Sequence, residues 1–363
     1  MKEQTKHFNW GYLLSLTVSV LLAFLIGALI LAAAGFSPLK AYAAMWNGAF
    51  SNARHVGDFL EYAMVLGVCG LACVLGSRVG IFNVGGEGQL LLGAIVSCQV
   101  GVWLAGQSKF IVIPCAMLAA MAAGGLYALI PGVLKVKVKV NEVITTIMLN
   151  TIAASLCQYL AKGPWKNPNK TMVAATGQLD PRNWFTTLIP NSNLSTAILI
   201  AALMAFLTWY VMQKTSTGFE MKMTGQNPRF ARFSGIKTDQ IVIWCMLISG
   251  AMCGLVGMFR VYGVEHLYRS SISNQYYFEG LTVAMIARYD PVTTIALSFF
   301  FAVLKIGAQG MEISAGVPNQ IYLIIQTIVI FFMAAESGIT ASLRAAAQRK
   351  KAQARQKGVE ENA

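Results

Sequence analysis

The sequence predicts an all-α polytopic membrane protein, and three observations carry that expectation. Hydrophobic residues make up 56 % of the chain and charged residues only 12 %, about half the charged share of a soluble domain. Long apolar runs such as residues 13–34 hold no charge, whereas a membrane β-barrel would alternate apolar and polar positions. The third is length. At roughly 20 residues per crossing, 363 residues accommodate about ten helical segments, short and broken ones included.

Lys2 and Lys6 precede the run 13–34. That run exceeds the ~7–15 apolar residues of a signal peptide, so it reads as an uncleaved first span behind an inner N-terminus of residues 1–12. Further spans follow at 59–75, 86–105, 111–134 and 142–159. A polar stretch over 161–193, rich in Pro, Asn and Lys, is expected outside. After it come 195–212, 241–259, a short segment 277–288, 291–306 and 321–335, and a basic tail over 341–363 closes the chain.

With both termini inside, eighteen of the 28 Lys and Arg residues fall on the inner side and nine on the outer. Lys305 sits near a span end, from which it can snorkel. The bias favours this orientation and requires 277–288, too short to cross ~30 Å alone, to count as a crossing. Trp10 and Tyr12 precede the first span, Trp209 and Tyr210 close the sixth, and Trp165 and Trp184 sit in the outer loop, places that suit interfacial aromatics. The net charge of +13 falls in loops and tail, so topology explains it and nucleic acid does not. The tail is solvated or attracts anionic lipid. All seven cysteines (Cys69, Cys73, Cys98, Cys115, Cys157, Cys245 and Cys253) lie in apolar runs and read as small buried hydrophobes. His7, His55 and His266 form no cluster.

Residues 80–94, GIFNVGGEGQLLLGA, place the carboxylate of Glu87, the amides of Asn83 and Gln89 and four close glycines at the mouth of an apolar run, with Phe82 beside them. Irregular backbone persists at membrane depth only where protein or a water-filled cavity satisfies its amides. The stretch therefore reads as lining or gating a solute pathway. The plainer alternative is a turn outside the membrane, with Glu87 at the positive end of a helix.

In residues 141–150, NEVITTIMLN, Glu142, Thr146 and Asn150 share one helix face, with Asn141 and Thr145 on an adjacent row. Lipid cannot satisfy such a stripe. Pathway lining and interhelical hydrogen bonding produce the same pattern, and both stay open. Glu87-Gly88 has a faint echo in Glu279-Gly280, which follows Phe278. Matching interruptions in two related halves are the best sequence pointer to a transport site.

Within residues 224–236, TGQNPRFARFSGI, Asn227 is placed to cap a short helix with Pro228 in its first position and Gly235 at its end. That helix would display Arg229, Phe230, Arg232 and Phe233, the composition of a docking surface or of a positive-inside loop resting on headgroups. Gly250 and Gly254 need only close helix packing. No phosphate-binding loop, nucleophile elbow or HExxH helix occurs in the sequence.

Residues 80–94, 141–150 and 225–236, in this order and spacing, resemble the permease subunits of bacterial ABC importers. The match is nearest to the nucleoside or simple-sugar branch of the superfamily that includes ribose-type and branched-chain amino-acid-type permeases, and it extends from the first span to about residue 335. The resemblance implies a permease domain over 13–340 in the bacterial inner or plasma membrane, both termini cytoplasmic, carrying nucleosides inward. It implies no enzymatic activity and no cofactor in this chain. ATP and Mg would be held by a separate cytoplasmic ABC ATPase dimer, with a second permease subunit (a paralogue or a copy of itself) and an extracytoplasmic substrate-binding lipoprotein completing the assembly.

The loop 214–240 would then couple to the ATPase through Gly225, Asn227, Pro228, Arg229, Phe230, Arg232 and Gly235. The pathway candidates are Phe82, Asn83, Glu87, Gln89, Asn141, Glu142, Thr145, Thr146, Asn150, Phe278 and Glu279. An ion-coupled secondary transporter using Glu87 and Glu279 is the alternative from another class, and a membrane scaffold is a further one. Within the ABC class, a sugar or a branched-chain amino acid is the rival solute.

Overall fold

The apolar runs fold as α-helices in a computed structural model that describes residues 10–167, 174–318 and 320–333. The basic tail expected over 341–363 lies outside the described residues. In chain order the helices are α1 (Trp10–Ala33), α2 (Pro38–Phe50), α3 (Ala53–Arg78), α4 (Gly86–Trp103), α5 (Lys109–Val133), α6 (Glu142–Lys162), α7 (Ala197–Lys214), α8 (Ser216–Gln226), α9 (Pro228–Phe233), α10 (Thr238–Arg260), α11 (Tyr276–Ile286), α12 (Pro291–Ala315) and α13 (Gln320–Met333). Short π-helical turns extend α5 through Leu134–Val138 and α10 through Val261–Glu265.

Among the described residues six helices are long and apolar enough to cross a membrane, or seven if α1 and α2, bent by 119° at their junction, form one broken span. The ten expected segments are present as helices, but not all as crossings. The segment counted as a crossing at 277–288 is α11, whose 11 residues reach only ~16 Å. Helix α2 was not expected, because Lys40, Trp46 and Asn47 dilute its apolar character. Pro38 in its first position, where the missing N–H costs nothing, starts it. Helix α3 begins at Ala53, ahead of the apolar run, because Asn52 caps it by accepting from His55 N–H at 2.9 Å.

The described residues divide into two compact units, one formed by those up to Gly48 together with those from Gly307 onward, the other by those within Ala49–Ile306. In the first, the Tyr42 hydroxyl donates to the Phe24 carbonyl at 2.6 Å, and the backbones of Gly48 and Gly310 lie in contact. In the second, the apolar stretch of α3 is 94 % buried and that of α10 72 %, against 17 % for α6 and 22 % for α7. Helices α3 and α10 are thus enclosed by protein, while α6 and α7 present apolar faces outward.

The enclosure of α10 depends on missing side chains. A Cβ on Gly254 would collide with the Ala120 carbonyl of α5, and one on Gly93 of α4 would collide with Gly254 itself. Gly250 lies as tightly against Gly124 and Ala128 of α5, which is the close packing expected of this glycine spacing. Gly254→Ile forces α5 away from α10 and is expected to destabilise the protein by about 3 kcal/mol or more, the upper range of overpacking. Thermal unfolding in detergent reads this as a lowered midpoint, and an unchanged midpoint would show that the helices separate freely.

Candidate functional site

Between α3 and α4 the backbone leaves the helix over residues 79–85, turning at Gly80 with φ +78°. Its polar groups are answered by side chains from three directions. Asn83 is fully buried. Its Oδ1 accepts from Gly85 N–H at 3.0 Å and from Gln89 Nε2 at 3.3 Å. Its Nδ2 donates to Gln89 Oε1 at 3.3 Å and to Ser249 Oγ of α10 at 3.0 Å, and Ser249 in turn donates to the Ala72 carbonyl at 2.8 Å. From α6, Asn150 donates to the Val84 carbonyl at 2.9 Å and accepts from Gly88 N–H at 2.9 Å. From α11, the Tyr277 hydroxyl donates to the Asn83 carbonyl.

The two echoing Glu-Gly segments meet at this point. The Glu87 carboxylate accepts from Tyr277 N–H at 3.4 Å and from the Gln275 backbone. It stands at the N-terminus of α11 as well as in the first turn of its own α4, two positions where a helix favours an anion. The ring of Tyr277 lies so close to Gly86 that no Cβ would fit. Gly280 packs against α3, where a Cβ would lie 2.9 Å from the Leu66 carbonyl oxygen and 3.0 Å from Gly70 N.

The polar stripe on α6 serves several ends. Asn141 caps the helix, accepting from Val143 and Ile144 N–H at 2.9 and 3.4 Å, and Thr145 bonds back to the Asn141 carbonyl at 2.9 Å. Glu142 pairs with Lys135 at 2.7 Å and meets the Phe82 backbone. Thr146 is buried beside Gly85, its hydroxyl on the Glu142 carbonyl at 2.7 Å. Interhelical bracing therefore accounts for Asn150. Phe82 and Phe278 remain half-buried, and the Phe278 ring centroid lies 6.3 Å from that of Tyr277.

A second polar constellation was missed in the sequence reading. Arg260, expected among the outer-side charges, is buried and pairs with buried Glu61 at 2.8 Å. Its second nitrogen lies 3.5 Å from Glu265, which also pairs with Arg269, and its guanidinium sits 5.0 Å over the Tyr276 ring. Tyr276 packs edge-on to Tyr62 at 5.5 Å, and the Tyr62 hydroxyl donates to Glu279 at 2.6 Å. The other Glu279 oxygen holds Lys305 at 2.8 Å. Lys305 therefore does not snorkel. It lies about 21 Å along α12, which runs on to Ala315 rather than ending near Lys305. Glu61, an ionisable residue within the apolar run 59–75, was the available signal.

The loop after α7 follows the sequence reading closely. Asn227 Oδ1 accepts from Phe230 N–H at 3.0 Å, Pro228 opens α9, and Gly235 ends the turn with φ +84°. Arg229 is exposed, Phe230 is 54 % and Phe233 92 % exposed. Arg232 is tied to Asp239 at 2.6 Å and to Thr238 at 2.9 Å, so it braces α9 against α10. Gly225 lies against residues 78–80. Among the described residues no His, Cys, Asp and Glu side chains are grouped to hold a metal ion.

Residues 56–334 match the family described as branched-chain amino acid transport system, permease component. The chain is 33 % identical over 331 residues to the guanosine ABC transporter permease protein NupP of Bacillus subtilis (strain 168), covering 91 % of this chain and 95 % of that protein. It is 29 % identical to the nucleoside ABC transporter permease protein NupB of Lactococcus lactis subsp. cremoris (strain MG1363), over 87 % of this chain and 89 % of that protein. It is 31 % identical to the glucose ABC transporter permease protein TsgB13 of Haloferax volcanii, over 87 % of this chain and 85 % of that protein. No solved structure matches it.

Removing one member of a buried ion pair leaves the other uncompensated, at a cost of about 3–5 kcal/mol. Arg260→Met is therefore expected to lower the unfolding midpoint sharply, and Glu61→Leu in the same chain to recover most of the loss. Equal destabilisation by the single and double variants, measured by denaturation in detergent, would show that the pair is not what holds α3 to α10.

Proposed function

The chain belongs to the family of permease components of branched-chain amino acid transport systems, and from that membership we propose that it is the membrane-spanning subunit of an ATP-binding-cassette importer of nucleosides. The observation that carries the substrate is the similarity to NupP, which extends over 95 % of that protein's length. A sugar is the second reading, because the glucose permease TsgB13 is of comparable identity. Both solutes are neutral and polar, which suits a permease whose candidate pathway carboxylates are taken up by internal partners. Glu61, Glu87, Glu142 and Glu279 are each engaged within the chain.

In this reading α9 faces the cytoplasm and is gripped by an ATPase dimer, which holds the ATP and Mg. Phe233, Phe230 and Arg229 are the contact residues, with Asn227, Pro228 and Gly235 shaping the helix and Arg232 steadying it. A second permease subunit, a copy or a paralogue, completes the pathway, and a substrate-binding lipoprotein delivers the solute from outside. The half-buried faces of Phe82, Phe278 and Glu279 lie along that path. Both termini are cytoplasmic.

Purification in mild detergent is expected to recover an ATPase with the chain, and liposomes holding the complex and ATP to take up guanosine. Phe233→Asp with Arg229→Glu weakens the ATPase by about tenfold or more, the equivalent of ~1.4 kcal/mol, without unfolding the chain. Uptake by the chain alone on an H⁺ or Na⁺ gradient would overturn the assignment in favour of a secondary transporter. Uptake of glucose and not guanosine selects the second reading.

A further inference from the structure

The end of α8 and the end of α3 meet backbone to backbone. A Cβ on Gly225 would collide with the Arg78 carbonyl oxygen and lie 3.1 Å from Gly80 N, and one on Gly80 would lie 3.4 Å from Gly225 Cα. Beside this contact two polar atoms are buried without a hydrogen-bond partner, Nε of Arg78 and Oγ1 of Thr224, and Thr224 is only 2 % exposed. Unmatched buried polar atoms disfavour the arrangement that holds them. A seating that gave them partners would be favoured by comparison, and a two-position element needs such a second arrangement.

Each side of the contact leads somewhere definite. Through Asn227 alone, α8 continues into α9 with its exposed Arg and Phe residues. On the other side, Gly80 opens the interrupted segment 79–85, which is bonded to α10 through Ser249, to α6 through Asn150 and to α11 through Tyr277. A displacement of α9 has no side chain at the contact whose rotamer could absorb it.

Resting on the reading of α9 as the ATPase-docking helix, we propose that the Gly225–Gly80 contact is the joint that carries displacement of α9 into the interrupted segment. Gly225, Gly80, Thr224 and Arg78 are then positioning residues for transport rather than docking residues. The joint works by reseating. In one seating the Thr224 hydroxyl and Arg78 Nε are unmatched, and in the other they gain partners as the segment shifts with its bonded helices.

The test uses the whole complex in liposomes and reads ATPase retention, ATP hydrolysis and guanosine uptake together. Gly225→Val is expected to keep the ATPase bound and hydrolysing while uptake falls about tenfold or more, so that more ATP is consumed per solute. Thr224→Val keeps the side-chain volume and removes the unmatched hydroxyl. It is expected to keep the ATPase bound and to lower the maximal uptake rate with the half-saturating guanosine concentration unchanged. Should Gly225→Val fail to accumulate, Thr224→Val decides. Wild-type coupling in Thr224→Val, or loss of uptake only in step with loss of the ATPase, overturns the joint. A wild-type complex with no ATP-driven uptake of guanosine or glucose instead removes the functional reading on which the joint rests.

Discussion

A backbone amide released from a helix among apolar side chains has no water to turn to, and the arrangement around residues 79–85 answers that constraint. Asparagine is the residue suited to it, because one side chain both donates and accepts. Asn83 serves the segment from within and Asn150 from α6, each accepting from one backbone N–H and donating to a group on another stretch of the chain. Tyr277 and Glu87 then lock the start of α11 to the same backbone. Three helices that lie elsewhere in the sequence, α6, α10 and α11, are thereby fixed by the needs of one interruption. Glycines 86, 93 and 254 allow the approach, since any side chain there would hold the helices apart.

Charge is handled by the same logic. An isolated charge in an apolar protein interior is far more costly than a paired one. Glu61 with Arg260 and Glu279 with Lys305 tie α3 to α10 and α11 to α12, with Tyr62 and Tyr276 bridging the two pairs. Glu87, the carboxylate that first drew attention as a pathway group, is occupied by the amides of α11. A coupling ion would have to displace one of these internal partners, which weighs against the ion-coupled alternative and favours energy supplied from outside the chain.

What the sequence disclosed divides along the range of the interactions. The spans and the short helix α9 are local. Their apolar runs, the Asn227 cap, Pro228 and Gly235 lie within a few residues of one another, and all of them fold as helix or helix end, though not every run is long enough to cross. The partners of Glu87, Asn83, Glu61 and Glu279 are remote: Arg260 is 199 residues from Glu61, and Tyr62 is 217 from Glu279. No periodicity reports such pairings. The stripe on α6 was visible, but whether it faced solute or backbone depended on where residues 84–88 would lie. Lys305 was misplaced because the expected span ends at 306 while α12 runs on to Ala315, and its closeness to Glu279 was not legible.

A neutral solute gives a permease little to hold by charge, and Glu61, Glu87 and Glu279 already have partners within the chain. In the proposed importer the free energy for moving such a solute against its concentration arrives as a mechanical displacement from a partner. The structure offers a short route for it. Helix α9 is exposed, α8 adjoins it through one residue, and α8 rests on the one stretch of α3–α4 backbone that is not helical. A continuous helix at that position would resist being moved except as a rigid rod. An interrupted one, with hydrogen bonds to α6, α10 and α11, can shift locally and draw those helices with it. In the proposed reading the interruption makes the permease deformable, beside a solute path that would border it at Phe82, Phe278 and Glu279.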